Sequence, residues 1–228
     1  MKNNKWLNIT LTVIFIIALV LFMLTFSIGL PIYFRPFYYL QIKTLGLEEQ
    51  TGWSYETIKT AYDEVLNFCT LPGGTFSAGE LKFSEEGAAH FADCKVLFNL
   101  NLYVLIGSFA VLAVLLILQK IKVFTLCRPL KRHAYFWSAV VAVALPVILG
   151  CIIAVDFDKA FQVFHAIFFP GKDNWLFYPN KDEIIRVMPE QFFANCAIFI
   201  GVGLVVFACA LIAADIITLR KEKKAQEK

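Results

Sequence analysis

The sequence predicts an all-α integral membrane protein with four transmembrane helices and a small extracytoplasmic cap built from two outer loops. Three observations lead there. First, 59% of the 228 residues are hydrophobic and only 17% are charged, against roughly 45–50% and about 25% in an average soluble domain. Second, the excess is concentrated in four blocks free of Lys, Arg, Asp and Glu, about residues 7–30, 96–118, 134–155 and 192–214. Each matches the ~20 residues that cross a hydrocarbon core, where only a helix satisfies its own backbone. Third, charge alternates between the connections. The inner loop 119–133 carries Lys120, Lys122, Arg128, Lys131 and Arg132 and no acid, and both terminal tails are basic. Outer loops 32–95 and 156–191 are net acidic. The positive-inside rule then puts both termini and the inner loop in the cytoplasm. A soluble globular domain, a disordered chain and a nucleic-acid binder are excluded. The expected organisation is one membrane domain over 1–228, with no repeat and no linker.

Taken in order, the first block is too long for a signal-peptide core and lacks a small-residue cleavage site, so it is expected to be an uncleaved anchor. In the first outer loop, Ser54 followed by Glu56 predicts a capped amphipathic helix over Thr57–Phe68. Pro72-Gly73-Gly74 ends it. A short hairpin is expected over Thr75–Phe83. Ser84-Glu85-Glu86 then starts a helix that runs unbroken into the second span, with Gly87–Lys95 as its exposed first turns. Pro146 is expected to kink the third span. In the second outer loop Phe157, Phe161, Phe164 and Phe168 recur at helical spacing, an aromatic face suited to the membrane–water interface. Pro170-Gly171 ends that helix.

Three histidines are present. His133 lies beside Lys131 and Arg132 and is expected to be a topology or headgroup residue. His90 and His165 sit in different outer loops close to the membrane, where imidazole can take and return a proton near neutral pH. Asp93, at i+3 from His90, shares its helix face and could hold the ring in one tautomer, which puts His90 first as the base. Lys95 points elsewhere, toward headgroups or an anionic oxygen. A solvated polar turn capping a transmembrane helix is the competing reading. Six cysteines occur without a Cys-x-x-Cys. Cys151, Cys196 and Cys209 lie within spans as packing residues, and Cys127 is cytoplasmic. Cys69 and Cys94, the pair on the oxidising side, are expected to form a disulfide; Cys94 as a nucleophile beside His90 is the alternative. No metal motif, phosphate loop, serine elbow or dinucleotide fingerprint occurs, and no cofactor is expected. A quinone-dependent thiol oxidase would need paired outer cysteines in the second loop, which has none.

Phe83-Ser84-x-x-x-x-x-His90-x-x-Asp93-x-Lys95 before a span, and Phe161-x-x-Phe164-His165-x-x-Phe168-Phe169-x-x-x-Asp173-x-Trp175 followed by Asp182 and Pro189-x-x-Phe192-Phe193, resemble the two hallmarks of the lipoprotein intramolecular transacylases. The resemblance covers essentially the whole chain. It implies a four-span bacterial membrane enzyme that moves the sn-2 ester-linked chain of an S-diacylglyceryl-Cys lipoprotein onto its own α-amine. His90 and His165 would be the catalytic pair, with Asp93 and Lys95 supporting. The implied partners are a diacylated lipoprotein and membrane lipid. Cys94 stands where an aliphatic residue is usual in the family, which argues against a nucleophile there. A non-catalytic lipid- or partner-binding membrane scaffold is the remaining alternative.

Overall fold

A computed structural model describes residues 4–153 and 157–227. Asp156 lies outside them, as do the side chains of Cys151 and Phe157. The chain runs α1 (Lys5–Tyr33), α2 (Pro36–Thr44), α3 (Leu47–Thr51), α4 (Tyr55–Thr70), α5 (Glu85–Lys120), a 3-10 turn (Pro129–Lys131), α6 (Ala134–Ile153), α7 (Phe157–Phe168), α8 (Ile184–Val187) and α9 (Glu190–Gln226). The described residues contain no strand. Every charge-free block is helical over its described residues. α1, α5 and α9 are each long and apolar enough to cross a membrane. The 20 residues of α6 give a length of about 30 Å at 1.5 Å per residue.

Two compact units are present. One comprises Met1–Ile28, Tyr103–Gly150 and Ile200–Lys228. Its core interleaves Phe15, Leu19, Met23, Leu112 and Leu204 with Ala18, Ala139, Ala142 and Ala208. Small residues of this kind let helices approach closely in lipid, where packing supplies the association energy. Its outward side chains are apolar too, among them Ile17, Phe109, Ile117 and Val206. The loop 119–133 is bound, not free: Thr125 N donates to Asn8 Oδ1 at 3.0 Å and Cys127 N to Thr12 Oγ1 at 2.8 Å. His133 is likewise held. Its Nδ1 lies 2.7 Å from Oδ1 of the fully buried Asp215, whose other oxygen accepts from Arg132 at 2.8 Å. Arg128 forms a two-pronged pair with Glu222.

The other unit comprises Gly29–Leu102 and Cys151–Phe199. Its core is a cap of short helices, in which Tyr38 of α2 stacks on Tyr62 of α4 with ring centres 3.6 Å apart. The Tyr38 hydroxyl donates to the Val187 carbonyl of α8 at 2.7 Å. α4 starts as its sequence predicts, with Ser54 Oγ accepting from Thr57 N. The expected hairpin over 75–83 does not form. Its polar groups go elsewhere: Ser77 Oγ and Gly79 N donate to Glu64 of α4, and Lys82 exchanges hydrogen bonds with Glu183. Gly79, at φ +62°, lies close enough to α4 that a Cβ would sit 3.4 Å from Ala61 N. A segment that spends its donors on a neighbouring helix has none left for a strand ladder.

Candidate active site

α5 begins where two observations of the sequence meet. Ser84 caps it, with Gly87 N donating to Ser84 Oγ at 3.0 Å. The buried Asp182 carboxylate in turn accepts from Ser84 N and Ser84 Oγ, both at 2.8 Å. Negative charge at a helix N-terminus is favourable. Gly87 makes room for it: a Cβ there would collide with the Asp182 carboxylate and lie 3.2 Å from Phe177. This fixes the turn that presents His90, about two turns before the charge-free stretch of α5 at 96–118.

His165 comes from the last turn of α7. The two histidines are 6% and 5% exposed, and their ring centres are 5.6 Å apart. Phe169 and Phe177 meet the His90 ring edge-on at 4.9 and 5.4 Å. Trp175 stacks on His165 at 4.4 Å, with Phe161 at 4.2 Å on the same ring. His165 Nδ1 lies 2.7 Å from the Phe161 carbonyl. A carbonyl only accepts, so Nδ1 carries the proton and Nε2 of the neutral ring keeps its lone pair. Burial lowers the His165 pKa below its ordinary value, partly offset by that carbonyl. Burial, reinforced by His165 and by Lys172, lowers the His90 pKa to about 4, while Asp93 and Asn174 pull the other way. Both rings are therefore neutral at physiological pH.

Asp93 shares the His90 face, but its oxygens are taken. Lys172 forms an ion pair with one, and Asn174 Nδ2 donates to the other at 3.0 Å. Burial pushes the Asp93 carboxyl up, yet these two partners outweigh it and hold the pKa below the usual range. The expected direct Asp93 hold on the His90 ring is thus replaced by a contact through charge alone. Lys95 stands apart. Its Nζ donates to the Gly73 carbonyl at 2.8 Å and lies 4.6 Å from the centre of the Phe68 ring. The lysine beside the histidines is Lys172, from the turn after α7, which sequence spacing did not single out. Asn174 was missed as well, between the motif residues Asp173 and Trp175.

The expected Cys69–Cys94 disulfide is absent: both are free thiols. Cys69 Sγ donates toward the Phe91 carbonyl at 3.7 Å, and Cys94 Sγ sits 3.4 Å from His90 Nε2. Burial raises the Cys94 pKa far above the ordinary thiol value, so the nucleophilic thiolate is not available there. Among the described residues no group of three His, Cys, Asp or Glu side chains is placed to hold a metal ion.

Residues 13–193 match the family of the lipoprotein intramolecular transacylase Lit. The chain belongs to this family. It is a membrane-integral acyltransferase of the Lit family, which acts on lipoproteins. The structure is similar to the membrane-integral Lit of Bacillus cereus, with a TM-score of 0.87, 22% identity, and coverage of 97% of this chain and 100% of that one. Two variants of that Lit, with one histidine replaced by arginine or by alanine, each superpose with a TM-score of 0.81 at 21% identity. They cover 96% of this chain, and 95% and 96% of their own. Curated proteins give no significant sequence match.

Proposed function

We propose that this Lit-family enzyme moves the sn-2 acyl chain of an S-diacylglyceryl lipoprotein to the α-amine of the same molecule, with His90 and His165 as the catalytic pair. The amine nitrogen attacks the ester carbonyl carbon; the new N–C bond forms, the C–O bond to glycerol breaks, and the product is the N-acyl, S-monoacylglyceryl lyso-form. The observation that supports this reading is the pair of buried, neutral imidazoles 5.6 Å apart, one with its tautomer fixed.

Nucleophile and ester belong to one molecule, so positioning supplies much of the rate and no covalent enzyme intermediate is required. The base in this reading is His165 in place of His90, because the Asp93 oxygens are held by Lys172 and Asn174 while the Phe161 carbonyl leaves the His165 Nε2 lone pair free. That atom removes the amine proton as nitrogen attacks. The proton passes from His165 to His90, which gives it to the departing glycerol oxygen; a buried imidazolium with a pKa of about 4 releases its proton readily. Both rings end neutral, as they began, and the net movement is one proton from nitrogen to oxygen. The aromatic walls of Phe161, Phe169, Trp175 and Phe177 exclude water, which strengthens each of these polar contacts. Asp93 supports the charged His90, and Lys95 supports the site at one remove by tying the 72–74 turn to α5.

In this reading residues 1–228 work as one bacterial cell-membrane domain with cytoplasmic termini, and the histidines face the extracytoplasmic leaflet and its lipid. The test is expression in a bacterial host lacking other lipoprotein N-acylation, with mass spectrometry of a lipoprotein's N-terminal peptide. An N-acyl group with one remaining glyceryl ester is expected, and is expected to vanish in His90→Ala and His165→Ala. A free amine with both ester chains retained would overturn the activity, and lyso-form in either variant would overturn the histidine assignment. A free amine in the wild type, left unchanged by His90→Ala and His165→Ala, would favour the scaffold.

A further inference from the structure

We propose that Asn174 is a positioning residue: its carboxamide, oriented by Asp93 and Lys172, holds His90 in the Nδ1–H tautomer and supports its charged form. The proposal rests on the reading of His90 as catalytic. Its starting point is four buried polar side-chain atoms without a hydrogen bond of regular geometry among the described residues, two of which are His90 Nδ1 and Asn174 Oδ1. A buried polar atom left unpaired has lost its water without a replacement. The two are complementary, one a nitrogen that can carry a proton and the other an oxygen that can only accept.

The orientation of Asn174 follows from its other contact. Only the amide nitrogen can donate to a carboxylate, so the bond to Asp93 Oδ2 fixes which end of the carboxamide is Nδ2 and which is Oδ1. Lys172 holds the second oxygen of Asp93 and so locks the carboxylate itself. The chain of contacts therefore runs from ammonium to carboxylate to carboxamide, and ends on an acceptor that serves His90. Asn174 pulls the His90 proton affinity upward against burial. With Nδ1 protonated, the neutral ring keeps its lone pair on Nε2, the atom next to Cys94 Sγ. The groups facing His90 are Asp93 and Cys94 on α5, His165 on α7, and Lys172 and Asn174 on the turn that follows. Among them Asn174 brings an amide oxygen that no other group holds.

Nitrogen-15 NMR of histidine-labelled full-length protein in micelles reads this directly. The chain has three histidines, so substitutions at His133 and His165 assign the spectrum. Wild-type His90 is expected as the Nδ1–H tautomer. In Asn174→Leu the tautomer signal is expected to shift, the His90 titration midpoint to fall by about one unit, and lyso-form turnover to drop roughly tenfold or more. Asn174→Asp, which keeps an acceptor oxygen, is expected to restore the tautomer and move the midpoint upward. A purely structural role would lower activity and leave tautomer and midpoint where they are in both variants, and that result would overturn the proposal. So would an Asn174→Asp protein that matches Asn174→Leu. Should Asn174→Leu not fold, the upward or absent shift in Asn174→Asp still decides. Lyso-form persisting in His90→Ala would strike the catalytic reading and leave the NMR result to stand alone. Its loss there, with unaltered NMR in the Asn174 variants, would strike this proposal only.

Discussion

Acidification should destabilise this protein through His90, by an amount that follows from the site. The ring is 6% exposed, and burial holds its pKa at about 4 in the folded state, against 6.5 in an open chain. Between those values the unfolded chain binds a proton at this position and the folded chain does not. Stability is therefore full above pH 6.5 and falls as the pH drops toward about 4. A shift from 6.5 to about 4 is worth about 3 kcal/mol at 1.36 kcal/mol per unit. For a chain of this size that is a loss of about 6–12 °C in Tm. The measurement is thermal unfolding of the full chain in detergent between pH 7 and about 4.5, for wild type and His90→Gln, which cannot titrate. Wild type should lose stability more steeply than the variant. Parallel pH profiles would mean that His90 is not buried neutral, and the protonation states argued for the site would fall with it. His165, whose pKa is also lowered, contributes the same sign, so His90→Gln should keep part of the slope.

Three further outcomes can be checked. Gly87→Ala should displace Asp182 from the start of α5 and cost about 1–3 kcal/mol, read as a lower melting temperature with reduced lyso-form; an unchanged melt would refute the close approach. Cys94→Val should leave lyso-form production in place, since the buried thiol is held protonated; its abolition would return the sulfur to the chemistry. Asp215→Ala should remove hydrogen bonds from His133 N and Arg132 and destabilise the protein by about 1.5–3 kcal/mol. Unfolding in detergent reads this, and no loss would show the cluster to be idle.

The membrane helices were legible because charge exclusion over twenty-odd residues leaves few alternatives in lipid. The start of α5 was legible for a local reason, a Ser cap ahead of two acids. The short helices α2, α3 and α8 were not, since four to nine residues carry too little periodicity to stand out. The hairpin was misread because Gly79 serves a close approach to α4 instead of a strand turn. At the site, both histidines and Asp93 could be found by spacing along one helix or within one motif. Lys95 is grouped with them only by the family motif; two residues along a helix from Asp93 is about 200°, the opposite face, and its Nζ donates there to the Gly73 carbonyl. Its place beside Asp93 belongs to Lys172, 79 positions away, a pairing that only the tertiary fold creates. Asn174 and Asp215 were hidden in the same way. Each looks like an ordinary polar residue until the buried group it serves is known.

α7 turns His165 inward while Val163, Phe164, Ile167 and Phe168 around it are exposed. A helix so greasy on its outer side places the reaction in two dimensions. The concentration that governs turnover is then lipoprotein per unit of lipid surface, not lipoprotein per volume. Diluting the substrate with inert lipid at constant bulk concentration would slow such an enzyme, and adding buffer would not.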